Sequence, residues 1–248
     1  PCGSAGEKRF SKESGGECDD KKIEGNKGSN GGACAPYRRL SLCNKNFQNI
    51  NNDDSTNAKN DLLLDVCYAA KFEGESLKTY REQYDSKYPG SVSTMCTMLA
   101  RSFADIGDIV RGRDLYSGNS KEKEKRKQLD DKLKEIFKEI HEKLEQPAKV
   151  YYEDKDTDKN YYKLREDWWT ANRHTVWKAI TCDAPGDASY FRVTCSDGRS
   201  GAQANDKCRC PKTSGANAGK GSDVTNIVPT YFDYVPQFLR WFEEWAED

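Results

Sequence analysis

The sequence predicts a mostly α-helical protein, with a disulfide-stapled, loop-rich N-terminal part packed on a helical bundle. Three observations carry that expectation. Ten cysteines are scattered through 248 residues without the paired spacing of a zinc or redox motif. Apolar residues recur at i, i+3, i+4 and i+7 over several long windows, and little of the chain alternates as a strand would. Gly, Ser, Asn and Lys concentrate in residues 1–60, and Gly, Ser, Asn and Asp in 183–227, which marks loops on either side of the helical part.

Residues 1–60 contain Cys2, Cys18, Cys34 and Cys43 and, apart from Tyr37, Leu40, Leu42 and Phe47, little to bury. Such a segment holds its shape through covalent links rather than a core, so two internal bridges are expected here. From Asp61 the pattern turns helical: Leu62, Val66, Ala69 and Ala70 form one stripe that is expected to end near Gly74. Val92, Met95, Cys96, Leu99, Phe103, Ile106 and Val110 form the clearest amphipathic run, opened by Pro89–Gly90 and closed by Gly112. A third helix is expected over 120–146, with Leu129, Leu133, Ile136, Phe137, Ile140 and Leu144 on one face, Pro147 as its stop, and Asn119 and Glu122 as a capping pair. Residues 150–160 lack periodicity and read as a loop. Residues 161–181 carry Trp168, Trp169, Val176, Trp177 and Ile180 around most of a helix circumference, the mark of a helix buried among others. Pro236 opens a last helix bearing Phe238, Trp241, Phe242 and Trp245 at helical spacing.

Bulk properties narrow the function. Mean hydropathy is -0.98 and 33% of residues are charged, but 40 basic and 41 acidic groups leave a net charge of -1. No global field draws in nucleic acid or a membrane, so any electrostatic recognition must come from local clusters. No apolar run reaches the roughly 18 residues needed to span a bilayer. Disulfides require an export route, and 1–3 do not resemble a signal peptide, so the chain reads as a fragment of a longer exported or membrane-anchored protein.

Catalytic constellations are weak. The only histidines, His141 and His174, lie in helical registers that suit a surface or bundle edge better than a base beside a nucleophile. Cys208 and Cys210 lack a matching second pair for zinc. The stretch SGANAGKGS (214–222) departs from a phosphate loop, with Ser214 at the first Gly position and Gly221 after Lys220. Asp105, Asp108, Glu243, Glu244 and Glu247 read as solvated faces or salt-bridge partners. No catalytic residue, metal or cofactor is expected. What remains is local positive charge: Lys121, Lys123, Lys125, Arg126 and Lys127 crowd a helix start, where cations oppose the helix dipole. The excess reads as a solvated, variable face or as an anion-binding patch. Arg38 and Arg39, Arg111 and Arg113, and Lys207, Arg209 and Lys212 add further clusters suited to sulfate or carboxylate.

Five stretches, in order along nearly the whole chain, carry a family resemblance: APYRRLSLC (35–43), DVCYAAKFEG (65–74), STMCTMLARSFADIGDIVRGRDLY (93–116), WWTANR (168–173) and PTYFDYVPQFLRWFEEWAED (229–248). Together they resemble a Duffy-binding-like domain of the alpha class that heads the erythrocyte membrane protein 1 family of Plasmodium falciparum. The resemblance implies a helical adhesin of three subdomains. Residues 1–60 resemble the first and residues 61–248 the helical-bundle second, with the third absent. It implies display on the extracellular face of the infected erythrocyte membrane. It also implies host erythrocyte glycans or glycoprotein receptors, neighbouring domains of the same chain, and antibodies as partners. The sets Trp168/Trp169 and Phe238/Trp241/Trp245 are implied to fill the bundle. The stretches between motifs would hold adhesion specificity and antigenic variation. Heparan-sulfate-like or blood-group glycans bound in rosetting are the leading ligands. The alternative is a structural spacer and variable decoy beside a cysteine-rich interdomain region that binds the protein receptor. Cys2, Cys18, Cys34 and Cys43 are implied to close the first subdomain. Cys67, Cys96, Cys182, Cys195, Cys208 and Cys210 are implied to pin helices and loops, for five bridges in all.

Overall fold

The computed structural model describes residues 15–24, 26, 32–50, 58–87, 95–155, 159–196, 201–210 and 228–247. The N-terminal part pairs two short antiparallel strands, β1 (Gly16–Glu17) and β2 (Ala35–Pro36), and continues into a four-residue helix, α1 (Tyr37–Leu40), and a 3-10 turn at Lys45–Asn49. The bundle follows: α2 (Ala58–Lys87), α3 (Met95–Arg111), α4 (Ser120–Glu142), the short α5 (Ala148–Tyr151) and α6 (Tyr162–Ile180). A two-residue hairpin, β3 (Cys195–Ser196) with β4 (Gly201–Ala202), and a 3-10 turn at Phe232–Tyr234 lead to α7 (Gln237–Glu247). The fold is mostly helical, as the periodicity predicts.

Helices α2, α3 and α6 pack against one another and enclose the main core. Phe103 of α3 stands between two tryptophans of α6, its ring centroid 5.1 Å from Trp169 and 5.1 Å from Trp177. Such paired aromatic contacts add to the area they bury. Leu42, Phe47 and Ile50 join this core from the N-terminal part, which therefore rests on apolar burial as well as on its bridges. A second, smaller cluster of Ile23, Ala35 and Trp241 ties that part to α7.

Three helix expectations change. Gly74 does not end α2, which runs on to Lys87. There the backbone of α2 meets the carbonyl of Ile180 so closely that a Cβ would collide with it, so this glycine serves a helix crossing. Gly112, with φ of 72°, does terminate α3. Helix α4 stops at Glu142, before the expected 146. Third, α7 presents another face: Gln237, Arg240, Trp241 and Glu244 are buried, whereas Phe238 is exposed and Phe242 is 71% exposed. Phe238 therefore does not fill the bundle. The residues leading into α3, including Pro89, Gly90 and Val92, lie outside the described residues.

Bridges join Cys18 to Cys34, Cys96 to Cys208 and Cys195 to Cys210, and Cys43 is also disulfide-bonded. Cys2 lies outside the described residues. Cys67 and Cys182 are free, which corrects the expectation that every cysteine is bridged. Burial pushes the Cys67 thiol up to about 11, and the Cys182 Sγ donates to Asp183 Oδ2 at 3.1 Å. No helix among the described residues is long and apolar enough to cross a membrane.

Candidate functional site

Arg38 and Arg39 belong to the inside of the molecule. Helix α1 directs both into the seam between the N-terminal part, α3 and α7, leaving them 1% and 4% exposed. The Arg38 fork donates through Nε to Glu244 Oε1 at 2.9 Å, through Nη2 to Asp105 Oδ2 at 2.7 Å, and through Nη1 to Ser102 Oγ at 2.9 Å. Arg39 donates through both Nε and Nη2 to the Asp114 carboxylate. Arg38, with its donors spent and water excluded, cannot reach a glycan and leaves the expected ligand set, whereas Arg39 is committed to Asp114 yet borders a cleft beside α4.

Of the two readings of Asp105 and Asp108, solvated face or salt-bridge partners, the same seam bears out the second and excludes the first. Arg240 on α7 donates to both carboxylates, and Arg111 donates to Asp108 Oδ1 at 2.8 Å. Gln237 bridges Asp105 and Asp114 through its Nε2 and accepts from the Leu115 backbone N–H at 2.7 Å. Buried charges persist only when paired and hydrogen-bonded, and these meet that requirement through four arginines. Arg113 pairs with Glu166 at 2.7 Å. Lys207 and Arg209 donate to the Cys182 and Lys178 carbonyls near the end of α6, which makes them caps. Lys212 lies outside the described residues.

The remaining cations form a cleft. Asn119 caps α4, its Oδ1 accepting from the Lys121 and Glu122 backbone N–H groups at 3.0 and 3.1 Å, while Glu122 Oε2 accepts from the Asn119 N–H at 2.7 Å. This capping box satisfies the helix start in spite of the lysines that follow. Arg126, half-buried, pairs through Nη1 with Asp114 Oδ2 at 2.7 Å and donates through Nη2 to the Asp114 carbonyl at 2.9 Å. Burial opposes ionisation of Asp114, but Arg39 and Arg126 beside it hold its carboxyl well below the usual carboxylate range. Above this pair opens a cavity of about 730 Å³ between α4, the end of α3 and the N-terminal part. Its lining includes Lys45, Tyr116, Lys123, Lys125, Lys127 and Tyr162.

Six cations and four carboxylates border this cleft, and the pairing decides its sign. Asp114 is neutralised by Arg39 and Arg126; Asp130 faces Arg165 at 3.0 Å and Lys134 at 3.3 Å; Glu122 is held in the capping box and accepts from the Tyr116 hydroxyl at 3.3 Å; Glu24 is exposed at the rim with no cation partner among the described residues, one free carboxylate against the lysines that follow. Lys45, Lys123, Lys125 and Lys127 are exposed and have no carboxylate partner among the described residues. The free charge of the cleft is positive. Burial, then Glu122, pushes the Tyr116 phenol up to about 12, so it remains a neutral donor.

Of the expected ligand residues, the structure gathers Arg39, Lys123, Lys125, Arg126 and Lys127 at the cleft, with Arg39 and Arg126 committed to Asp114. Lys121 is exposed but is not part of the lining. Lys45, Tyr116 and Tyr162 are members that sequence reasoning missed. A lone lysine after Cys43 carries no local signal, because only the fold brings it opposite α4. Among the described residues no group of three or more His, Cys, Asp and Glu side chains could hold a metal ion.

The described residues form a polar, mostly helical frame closed by disulfides, with an open cationic cleft on its surface. The family model for the Duffy binding domain matches residues 32–240, and the chain belongs to that family. Among solved structures it is similar to the NTS-DBL1α domain of Plasmodium falciparum PfEMP1 from the varO strain: 41% identity, a TM-score of 0.73, and coverage of 96% of this chain and 48% of that one. It is also similar to a PfEMP1 DBLβ domain solved bound to human ICAM-1, at 26% identity and a TM-score of 0.62, covering 97% of this chain and 44% of that one. Among curated proteins, the Duffy receptor of Plasmodium vivax is 26% identical over 158 residues, which is 59% of this chain and 12% of that protein. The chain thus spans about half the length of these solved relatives and about an eighth of the curated one.

Proposed function

We propose that this domain is a host-cell adhesion module of a variant surface antigen, displayed on the extracellular face of the infected erythrocyte membrane. It binds red-cell surface glycans, heparan-sulfate-like chains or blood-group oligosaccharides, and so supports rosetting. The observation that carries the reading is the cleft itself, in which four exposed lysines remain after Arg39 and Arg126 have been paired with Asp114. Ammonium groups free in water and close together attract sulfate or carboxylate through charge-assisted bonds, and salt weakens that attraction. Antibodies would meet the same exposed stretches.

Heparin-affinity chromatography of the oxidised protein over a salt gradient tests the reading. Elution well above physiological salt is expected, falling when Lys121, Lys123, Lys125, Arg126 and Lys127 are replaced by Ala. Elution at or below physiological salt, unchanged by those replacements, contradicts it. A second reading, in which the domain chiefly packs against a neighbouring domain of a longer chain that carries the receptor site, draws support from α7. There Val235, Phe238, Leu239 and Phe242 leave an exposed apolar strip beside Tyr231 and Tyr234.

A further inference from the structure

We propose that the outer face of α2 is a docking surface for a cysteine-bearing segment of a longer chain, held there by disulfides to Cys67 and Cys182. None of the residues involved lines the cleft, so the inference is independent of what the cleft binds.

Two thiols stay free in a frame whose other described cysteines are all bridged. Cysteines left over among bridges, in a protein of an oxidising compartment, point to partners brought from outside the domain. They cannot bridge each other. Helices α2 and α3 run antiparallel: Arg81 Nη1 donates to Met98 Sδ at 3.8 Å, and Ser102 Oγ donates to Glu73 Oε1 at 2.6 Å. Helices α3 and α6 are antiparallel too, since Arg111 pairs with Glu166 at 3.0 Å and Phe103 packs on Trp177. Helices α2 and α6 are therefore parallel, and they cross where Gly74 meets Ile180. Cys67 lies seven residues before that crossing and Cys182 two residues after it. Seven helical residues rise about 10 Å, beyond the roughly 7 Å that a disulfide allows between Cα atoms.

The surface between the two thiols is apolar and uncovered. Leu64 and Tyr68 are 54% and 46% exposed, and the Tyr68 ring stacks on Phe72 with centroids 6.1 Å apart. Leu64, Tyr68 and Phe72 recur every four residues and so form one stripe along α2. Cys67 borders the stripe beside Leu64, half-buried, with its inner side on the main core. The Lys71–Glu75 ion pair, at 3.5 Å, continues this face, and both charges act on the Cys182 thiol. One line along α2 thus leads from Cys67 past exposed aromatic surface to Cys182. About 10 Å is the reach of three extended residues, so a short stretch of polypeptide with two cysteines near that spacing ties to both. The length of the solved relatives supports such an occupant: this chain spans about half of them, and they carry as much polypeptide again.

Each link joins one thiol of the domain to one of the segment. The S–S bond forms, two protons leave, and two electrons pass to a disulfide of the exporting compartment, which is reduced to two thiols. Burial keeps the Cys67 thiol protonated, so it stays reduced in the domain alone.

Disulfide mapping tests the docking. The 248-residue chain and the longer ectodomain of the same protein are unfolded in denaturant with N-ethylmaleimide and no reductant, digested, and analysed by mass spectrometry. In the 248-residue chain Cys67 and Cys182 are expected to carry the label. In the longer ectodomain the label is expected to be lost from both, each appearing in a peptide linked to a cysteine outside these residues. Hydroxyl-radical footprinting is expected to oxidise Leu64 and Tyr68 less in the longer chain. Label retained at either cysteine of the longer ectodomain overturns the proposal. A peptide linking Cys67 to Cys182, or a disulfide-linked dimer of the 248-residue chain, overturns it as well. Links that form while Leu64 and Tyr68 stay as readily oxidised as before overturn the docking surface.

Discussion

Asp114 shows how one buried carboxylate can organise a cleft. It receives Arg39 from the N-terminal part, Arg126 from α4 and Gln237 from α7, so three segments far apart in sequence converge on one buried group. Because its folded carboxyl titrates below its unfolded value, it contributes stability that is fully present above the ordinary carboxylate range of about 4. That contribution is lost as pH falls through and below this range. Asp105 has its carboxyl lowered as well: burial opposes ionisation, and Arg38 and Arg240 overcome it. Asp114→Asn is therefore expected to destabilise the protein by about 3–5 kcal/mol at neutral pH, because two guanidiniums lose their counter-charge. Urea denaturation between pH 7 and pH 3 should show a flatter acid limb in the variant than in the parent. Parallel acid limbs would mean that Asp114 does not carry the effect.

At the scale of elements, α7 is the instructive case. Its buried stripe of Gln237, Arg240, Trp241 and Glu244 has the same helical spacing as the aromatic stripe read from the sequence, displaced around the helix. Trp241 is fully buried against Ile23 and Ala35, so Trp241→Ala should cost about 3–5 kcal/mol. Phe242→Ser, on the open face, should change stability by less than about 0.5 kcal/mol. Thermal melts of the two variants side by side check the assignment, and equal losses would reverse it. Helices α3, α4 and α6 were legible because their apolar periodicity agrees with their burial, and α4 also because its capping pair forms. Helix α7 was misread because its inward face answers buried charge, and periodicity counts only apolar groups. The extent of α2 was hidden for a related reason: Gly74 looks like a stop, but it permits the crossing with Ile180. The cleft was half legible. The lysines of α4 form a run in sequence, whereas Lys45 comes opposite them only through the tertiary fold, and Arg38 and Arg39 look like surface basic residues until α1 turns them inward.

Over the whole molecule, the near balance of 40 basic and 41 acidic residues conceals two populations of charge. One is internal: Arg38, Arg39, Arg111, Arg165 and Arg240 are each at most 4% exposed, and each is paired with a carboxylate. The other is external and includes the cleft, where Lys45, Lys123, Lys125 and Lys127 face water. Salt separates them, because a Debye length that shrinks from about 8 Å at 0.15 M to about 3 Å at 1 M screens exposed charges far more than buried ones. The frame is further held by Cys96–Cys208, which spans 112 residues and is indifferent to ionic strength. Raising NaCl from about 0.15 M to about 1 M should therefore abolish heparin binding while the melting temperature changes by no more than a few degrees. Parallel calorimetric and binding measurements on one preparation give both readouts. A melting temperature that collapses with salt would show that the arginine network is wetter than its burial implies. Heparin binding that survives 1 M NaCl would show that the cleft holds its ligand by apolar contact rather than by charge.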